Sequence, residues 1–327
     1  MQKNNSVRRY DSATLALLAS AMGRMGSGRT FRADANETAV LARQLEYIQS
    51  TLFNVEYPIP QALRHVPLDT EIPANAGTFV YREWDVAGRA ERIANYAQDL
   101  PRVDTTVKEY PKPIRDYGAA YGYTLQDMRN AAFSGVPLDT YKAKAAREAI
   151  DRKIDEVIAL GDSAAGIEGF LNHSALPTEA VDEGSWLTAN ADDIIKDVNE
   201  LVTKVVTQTK DIHRPDTLLV DLSRYQRMAT LPRATGTDTT VLEFILKTSP
   251  YLKSIEAWDR LATAGSGGAA VALCYKKDPS VVRAVVPVAF DVMAPELRNL
   301  EWVTNALCRI GGTVWYRPLA AVIGTGV

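Results

Sequence analysis

Residues 139–160 have the sequence DTYKAKAAREAIDRKIDEVIAL, and Gly161 follows them. Apolar side chains recur in this stretch at intervals of three and four residues, which predicts one long amphipathic helix. Asp139 or Thr140 can cap its first N–H groups, and Gly161 can end it because glycine adopts left-handed backbone without penalty. The apolar stripe comprises Ala146, Ala149, Ile150, Ile154, Val157 and Ile158. Such a helix spans roughly 33 Å, so it suits either a cover on a sheet or a spine that joins two lobes.

The opposite face of this helix is charged, and opposite charges recur along it four residues apart. Such pairs each stabilise a helix by roughly 0.2–0.5 kcal/mol. The pairs are Lys144–Glu148, Arg147–Asp151 and Arg152–Glu156, and Asp155 is expected on the same side. The pattern predicts that this side faces water.

The composition is that of an ordinary globular protein, with 46% hydrophobic and 24% charged residues among 327. This length allows two domains or one elongated domain. The formal charge of −3 gives no bulk attraction to nucleic acid or to an anionic membrane. Cys274 and Cys308 have no disulfide or metal spacing, so we expect buried thiols in a reducing compartment. No apolar run reaches about 18 residues, so no membrane-spanning helix is expected.

The first 32 residues are basic, with six Lys or Arg residues and one acidic residue, Asp11. Lys3, Arg8 and Arg9 precede an apolar run that contains an Ala-Ser-Ala tripeptide, which is the outline of a signal peptide. Asp11 interrupts that outline, and a capped amphipathic helix fits the same residues and is favoured here. A basic terminus of this kind binds nucleic acid or an acidic neighbouring subunit, or is a solvated tail.

Strand periodicity in residues 78–85 and a second extended run at 105–110 predict a long two-stranded excursion within residues 76–110. One face of the first strand would carry Phe79, Tyr81 and Glu83, and the other Val80, Arg82 and Trp84. Charged residues interrupt both faces, so neither face can be buried in a core of its own. An isolated hairpin is marginal in water. We therefore expect this one to lie on another surface of the chain or on a neighbouring subunit.

Helices and strands alternate along the rest of the chain. Helices are predicted at 36–50, after the capping box Thr124-Leu125-Gln126-Asp127, after a cap at Asn190 or Asp192, at 223–230 and, after the capping box from Thr240 to Glu243, at 241–247. Strands are predicted at 63–70, 114–123, 217–221, 254–258, 270–275, 281–291, 300–309 and 313–322, the last two joined by a glycine turn. The glycine-rich loops at 161–172 and 265–268 lack the context of a nucleotide-binding loop.

No constellation for catalysis or metal binding is recognisable in the sequence. His65, His173 and His213 are separated from one another and from both cysteines. No nucleophile elbow and no H-E-x-x-H motif occurs. The adjacent carboxylates Asp192 and Asp193 lie at a predicted helix start, where they complement the helix dipole. We therefore predict no catalytic residue, no cofactor and no metal.

Several segments, taken in their order and spacing, carry a resemblance to a known family. They are 41–48 (LARQLEYI), 93–104 (IANYAQDLPRVD), Tyr121-Gly122-Tyr123, the long helix, 166–172 (GIEGFLN) and 309–318 (RIGGTVWYRP). The chain resembles the major capsid proteins of tailed bacteriophages, which have the Hong Kong ninety-seven fold, and within them a major-capsid-like domain family of unknown function. The resemblance covers about residues 36–327.

The resemblance implies an α+β fold with four parts. These are an N-terminal arm (1–70), an extended loop that overlaps a neighbouring subunit (71–110), a peripheral domain (111–189 and 301–327) with the spine helix 139–160, and an axial domain (190–300). It also implies a major capsid protein that assembles as pentamers and hexamers into an icosahedral shell enclosing phage DNA. Such a protein is a structural component of the virion, assembled in the bacterial host cytoplasm, and not an enzyme.

Subunit contacts are the only sites that this resemblance implies. Arginine and tryptophan are favoured at interfaces, and the candidates are Arg82, Trp84, Arg89 and Arg92 in the extended loop and Arg8 and Arg9 in the arm. Other implied partners are packaged double-stranded DNA, bound without sequence specificity, and portal and decoration proteins, with no membrane. The short segment before the first matching helix implies that scaffolding is separate or absent.

Two other functions fit the same residues. An encapsulin-like compartment would share the fold and hold protein cargo. An α+β enzyme would need a pocket with convergent polar groups and shifted pKa values.

Overall fold

The computed structural model describes residues 59–88, 102–134, 138–181, 184–234 and 236–327, with side chains for all of these except 130–140. The basic arm and the predicted helix at 36–50 lie outside the described residues. The helices are α1 (Ala62–His65), α2 (Leu125–Ser134), α3 (Leu138–Leu160), α4 (Ala191–Gln208), α5 (Leu222–Thr230) and α6 (Val241–Thr248). Short 3-10 turns occur at Ser163–Ala165, Asp259–Ala262, Ser266–Gly268 and Pro318–Ala320.

The strands alternate with these helices in an α+β arrangement, as predicted. They are β1 (Leu68–Asp69), β2 (Thr78–Ala87), β3 (Asp104–Pro113), β4 (Arg115–Thr124), β5 (Gly161–Asp162), β6 (Ile167–Glu168), β7 (Thr178–Ala180), β8 (Thr217–Val220), β9 (Ser254–Ala257), β10 (Val271–Tyr275), β11 (Val282–Val285), β12 (Val288–Val292), β13 (Glu296–Arg298), β14 (Glu301–Ile310), β15 (Gly312–Trp315) and β16 (Ala321–Thr325).

The predicted long helix is α3, and its apolar stripe is buried. Ile150, Ile154 and Val157 are at most 4% exposed, and the helix packs against β4, β12 and β14. On the charged side, Lys144 pairs with Glu148 at 3.8 Å and Arg147 with Asp151 at 3.7 Å, as predicted. Gly161 ends the helix with a φ of 76°, in the left-handed region. The predicted caps Asp139 and Thr140 lie outside the described side chains.

Asp155 departs from the expectation of a solvent-facing side chain, because it is only 6% exposed. Its Oδ1 accepts hydrogen bonds from the backbone N–H groups of Gln61 and Ala62, both at 2.7 Å. Its Oδ2 accepts from Arg260 Nη2 at 2.6 Å. The expectation is wrong because α1 and the 3-10 turn Asp259–Ala262 cover this part of α3, which local periodicity cannot reveal.

The sheet beneath α3 is antiparallel, with β14 paired to β12, to β13 and to β4. The β4–β14 pairing is the longest, running from Glu301 opposite Thr124 to Ile310 opposite Arg115. Alternate residues of β14 face α3, so Ala306 and Cys308 are fully buried. The capping box after β4 also forms: the N–H of Asp127 donates to Thr124 Oγ1 at 3.1 Å.

A second sheet has five strands in the order β7-β16-β10-β8-β9. Helix α4 packs on β10 and β16 and buries Ile194, Val198 and Leu201 against Val220 and Cys274. Residue Asn190 caps α4, and its own N–H donates to Asp193 Oδ2 at 3.2 Å. The last strand, β16, thus belongs to the same sheet as β8, β9 and β10.

Two predicted strands are each divided between two sheets. The predicted strand 281–291 is β11, which pairs with β1 and β15, and β12, which pairs with β14. Pro287 lies between them and has no N–H to continue a ladder. The predicted strand 313–322 is likewise β15 and β16, separated by a 3-10 turn that begins at Pro318.

The glycine turn does not join a hairpin, because β14 and β15 lie in different sheets. Gly312 has a φ of 76°, and a Cβ there would meet Glu168 O at 2.6 Å. The turn therefore redirects the chain and lets it pass close to β6. The predicted strand 63–70 is α1 followed by the two-residue strand β1.

Candidate subunit-contact surface

The predicted excursion is a two-stranded hairpin of β2 and β3, here called the hairpin. Its register runs from Thr78 opposite Pro113 to Ala87 opposite Asp104. The two strands form a sheet of their own among the described residues. Each strand has ten residues, so the ladder extends over roughly 33 Å. The residues at its turn, 89–101, lie outside the described part of the chain.

One face of the hairpin, at its base, packs on the body of the subunit. The ring of Tyr81 stacks on Tyr110 with centroids 4.9 Å apart and meets the edge of Tyr316 at 5.1 Å. Phe79 packs with these rings against a small cluster of buried residues that contains Val285. Burial, followed by the nearby Tyr110, raises the pKa of Tyr81. This aromatic contact fixes the base of the hairpin.

An ion pair also holds the base of the hairpin. Lys112 Nζ donates to Glu168 Oε2 at 2.6 Å, and Ser174 Oγ donates to Glu168 Oε1 at 2.6 Å. Burial alone would raise the pKa of Glu168, but these two hydrogen bonds and the charge of His173 lower it to about 2. Glu168 is therefore a carboxylate at neutral pH and ties β3 to β6.

The opposite face, called the outer face, carries Val80, Arg82, Trp84, Val86 and Val107. Trp84 is 66% exposed and Val86 65% exposed, while Val80 and Val107 are 45% and 40% exposed. Val107 is the cross-strand partner of Trp84, so the two side chains share this face. Exposed rows of apolar side chains are typical of surfaces that bind another protein chain.

The sequence candidates for subunit contact divide into three groups. Trp84 lies exposed on the outer face, where a contact residue is expected. Arg82 lies on the same face, but its Nε donates to Glu109 Oε1 at 2.8 Å within the hairpin. Arg89, Arg92, Arg8 and Arg9 lie outside the described residues.

A second exposed surface was not among the sequence candidates. All residues from 291 to 302 are exposed, including Leu297, Leu300 and Trp302 at 60%, 74% and 41%. The sequence predicted strands ending at residue 291 and beginning again at residue 300, and it assigned no element to the residues between them. Pro295 and Asn299, the latter with a φ of 55°, were the available signals of a protruding turn.

The histidines and cysteines of the described ranges are largely buried. Within the described ranges, no group of three His, Cys, Asp or Glu side chains could hold a metal ion. His65 is 1% exposed, and burial lowers its pKa to about 4. Cys274 and Cys308 are both buried, as predicted, and burial raises the pKa of Cys308 to about 11. No helix in the described part of the chain is long and apolar enough to cross a membrane.

Three solved structures share this fold at low sequence identity. The capsid of Myoviridae phage XM1 is 16% identical, with a TM-score of 0.78, over 88% of this chain and 99% of that chain. A chain from Mycobacterium phage Adephagia is 17% identical, with a TM-score of 0.62, over 90% and 98%. The capsid of a native GTA particle is 12% identical, with a TM-score of 0.61, over 91% and 99%. These matches show the fold.

The sequence comparison supplies the family. No curated protein gives a significant sequence match. Residues 88–327 match the family described as major capsid protein, and this segment is well over half of the chain. The chain therefore belongs to the major capsid protein family, has the Hong Kong ninety-seven fold of tailed-phage capsids, and is a structural component of the virion rather than an enzyme.

Proposed function

We propose that copies of this chain assemble as pentamers and hexamers into a closed icosahedral shell around double-stranded phage DNA. The observation that carries the proposal is the outer face of the hairpin, which exposes Trp84 and Val86. Family membership supplies the kind of partner, because a capsid subunit binds copies of itself.

The hairpin is better suited to packing against a partner protein than to exposure to water. A two-stranded hairpin on its own is marginal in stability. Among the described residues, its anchors lie at its base, where Tyr81 meets Tyr316 and Lys112 pairs with Glu168. Tryptophan is enriched among the residues that dominate binding energy, since a large rigid surface is buried with little loss of entropy. We propose that the outer face lies on a neighbouring subunit in the same capsomer.

The lobes of the subunit are part of the same proposal. The arm would be residues 1–70, the extended loop 71–110, the peripheral domain 111–189 and 301–327, and the axial domain 190–300. We propose one change to these domain bounds. Because β16 pairs with β10, residues 321–325 and 178–180 are assigned to the axial domain rather than to the peripheral domain.

The other proposed partners are DNA and assembly proteins. The basic first 32 residues support DNA contact without sequence specificity, because lysine and arginine neutralise backbone phosphates. Portal, scaffolding and decoration proteins would join the same shell. A shell that holds protein cargo in place of DNA is the alternative function, and its contents distinguish it.

The test is assembly of the full-length protein expressed alone, with and without scaffolding protein of the same phage. We expect closed particles of uniform size by negative-stain microscopy and light scattering, with nuclease-protected nucleic acid inside. The double variant Trp84→Asp with Val86→Asp should stay folded and monomeric or form small oligomers only. The control Leu222→Asp replaces a side chain that is 53% exposed on α5, and it should assemble normally.

The results have separate meanings. Normal particles from the double variant would reject the role of the outer face. Particles that hold protein but no protected nucleic acid would favour the cargo compartment. A wild-type protein that forms no shell even with its scaffolding protein would reject the proposed function.

A further inference from the structure

A cleft lined by cations and exposed apolar side chains lies between the base of the hairpin and the end of α4. Its volume is about 610 Å³, and its lining includes Lys210, Ile212, His213, Arg317 and Leu319. Glu83 and the paired side chains Lys112 and Glu168 also line it, at the base of the hairpin. Ile212 is 72% exposed and Leu319 is 52% exposed. We call the cationic cleft the set Lys210, Ile212, His213, Arg317 and Leu319, together with Lys276, whose charge acts on His213 but which does not line the cleft.

Two cations of this cleft, Lys210 and Arg317, form no ion pair with a carboxylate among the described residues. Lys276 lies near Asp278, whose pKa is lowered by its hydrogen bonds from Ser280 and by the charge of Lys276. Burial lowers the pKa of His213, and the charges of Lys276 and Arg317 lower it further. Asp278 is close enough to oppose them, but its Oδ1 already accepts from the N–H and the Oγ of Ser280 at 2.8 and 2.6 Å. Like charges held together in this way favour an anionic partner.

The edge of the cleft is built by a constrained turn after α4. Lys210 and Asp211 have φ values of 52° and 63°, which non-glycine residues rarely adopt. Thr209 Oγ1 donates to Val205 O at 2.8 Å and lies 3.3 Å from the N–H of His213, which donates to it. Such backbone strain persists only where the surroundings enforce it. The hydrogen bonds of this turn therefore fix the positions of Lys210 and Ile212 at the cleft.

The same chain exposes a surface of the opposite charge. Residues 291–302, called the acidic projection, are exposed without exception. They contain Asp291, Glu296 and Glu301 against one basic residue, Arg298, which donates to Glu296 at 2.9 Å. Their exposed apolar residues are Val292, Met293, Leu297, Leu300 and Trp302. The projection thus combines negative charge with apolar surface, as the cleft combines positive charge with apolar surface.

The two surfaces do not meet within one subunit. No residue of the acidic projection lines the cationic cleft, and every residue of the projection remains exposed. We infer that the acidic projection of one subunit docks in the cationic cleft of a second copy of this chain. The contact is head-to-tail, which is the geometry that builds rings and shells from identical subunits. This inference rests on the proposed shell function and names a contact distinct from the outer face of the hairpin.

Charge reversal with rescue tests this contact in the full-length protein. We expect Lys276→Glu with Arg317→Glu to raise the subunit concentration needed for shell assembly at least about tenfold, because like charges would then face each other. Asp291→Lys with Glu301→Lys should have the same effect. The four substitutions together should restore assembly to near the wild-type concentration, which a purely structural role would not allow. The control Lys247→Glu with Lys253→Glu, outside the cleft, should assemble normally.

Circular dichroism and thermal unfolding would confirm that each variant is folded. Failure of the fourfold variant to recover, while each double variant is folded and impaired, would overturn the inference. Double variants that assemble normally but protect less DNA would also overturn it and assign the cleft to nucleic acid. A wild-type protein that forms no shell would reject the proposed function and this inference together, whereas wild-type shells with unaffected variants would reject this inference alone.

Discussion

Asp155 on the long helix α3 accepts a hydrogen bond from the guanidinium of Arg260 at 2.6 Å, across 105 residues of sequence. The other oxygen of the same carboxylate accepts the N–H groups of Gln61 and Ala62. One buried carboxylate therefore joins the helix, the segment that enters the subunit from the N-terminal side, and the turn that follows β9. This contact joins α3 to two segments that are distant from it in sequence.

Replacing Asp155 with alanine should lower the free energy of unfolding by about 3 kcal/mol, since two backbone N–H groups and the partly exposed guanidinium of Arg260 would lose their partner. Urea unfolding monitored by circular dichroism measures the change. The matched control is Asp151→Ala, which removes an exposed partner of Arg147 one turn earlier and should cost less than about 1 kcal/mol. Equal effects of the two substitutions would contradict the bridging role.

Replacing Ile154 with aspartate should prevent folding. The side chain is 4% exposed, so the substitution would place an unpaired charge in the core. Soluble expression and the far-ultraviolet spectrum report the result, and Ile154→Val, with an expected loss of about 1 kcal/mol, is the control. A soluble Ile154→Asp protein that forms shells would show that the buried face of α3 is wrongly assigned.

Gly161→Ala should destabilise the fold by roughly 3–4 kcal/mol, because the cost of left-handed backbone adds to overpacking. Its φ is 76°, and an added Cβ would lie 2.7 Å from the backbone nitrogen of Gly169. Gly166 is a matched control with a φ of 70° and nothing within 4 Å of an added Cβ. Gly166→Ala should cost only roughly 1–2 kcal/mol in the same unfolding measurement. A reversed order would refute the close approach at Gly161.

Substitutions of Trp84 and Trp315 should have different effects, one on shell assembly and the other on stability. Trp315 is 1% exposed and stacks on Phe170 with ring centroids 5.1 Å apart, so Trp315→Ala should lose about 3–5 kcal/mol of stability. Trp84→Ala should change stability by less than about 0.5 kcal/mol and weaken shell assembly. Unfolding and light scattering on both variants measure these effects. A large loss of stability in Trp84→Ala would mean that the outer face is packed within its own subunit.

The free energy of unfolding should decrease at low pH because protonation of Glu168 removes its ion pair with Lys112. Its pKa is lowered from an ordinary 4.5 to about 2 in the folded protein, so the unfolded chain binds a proton more readily. The contribution of Glu168 is thus complete above about pH 5 and is lost as the pH falls towards 2. Urea unfolding between pH 6 and pH 3 should show a shallower pH dependence for Glu168→Gln than for the wild type. Identical slopes would exclude the Lys112–Glu168 pair as a source of stability.

Local elements follow closely from the sequence. The periodicity of residues 139–160 predicts α3, the alternation in 78–85 predicts β2, and Thr124 with Asp127 predicts a capped helix. Each of these signals depends on residues within one or two turns or along one strand, so side-chain spacing and short-range hydrogen bonds suffice to specify them. The resemblance over residues 36–327 added the fold, which no single motif could supply.

The sequence by itself thus determined the helices α2 to α6, the hairpin and the absence of a catalytic motif, whereas α1 lies where it predicted a strand. Tertiary structure alone decided that Asp155 is buried, that β15 and β16 lie in different sheets, and that residues 291–302 are exposed while similar apolar strands are core. The physical reason is that burial and strand pairing depend on partners far away in sequence. Arg260 for Asp155 and β10 for β16 are brought into place only when the whole chain folds.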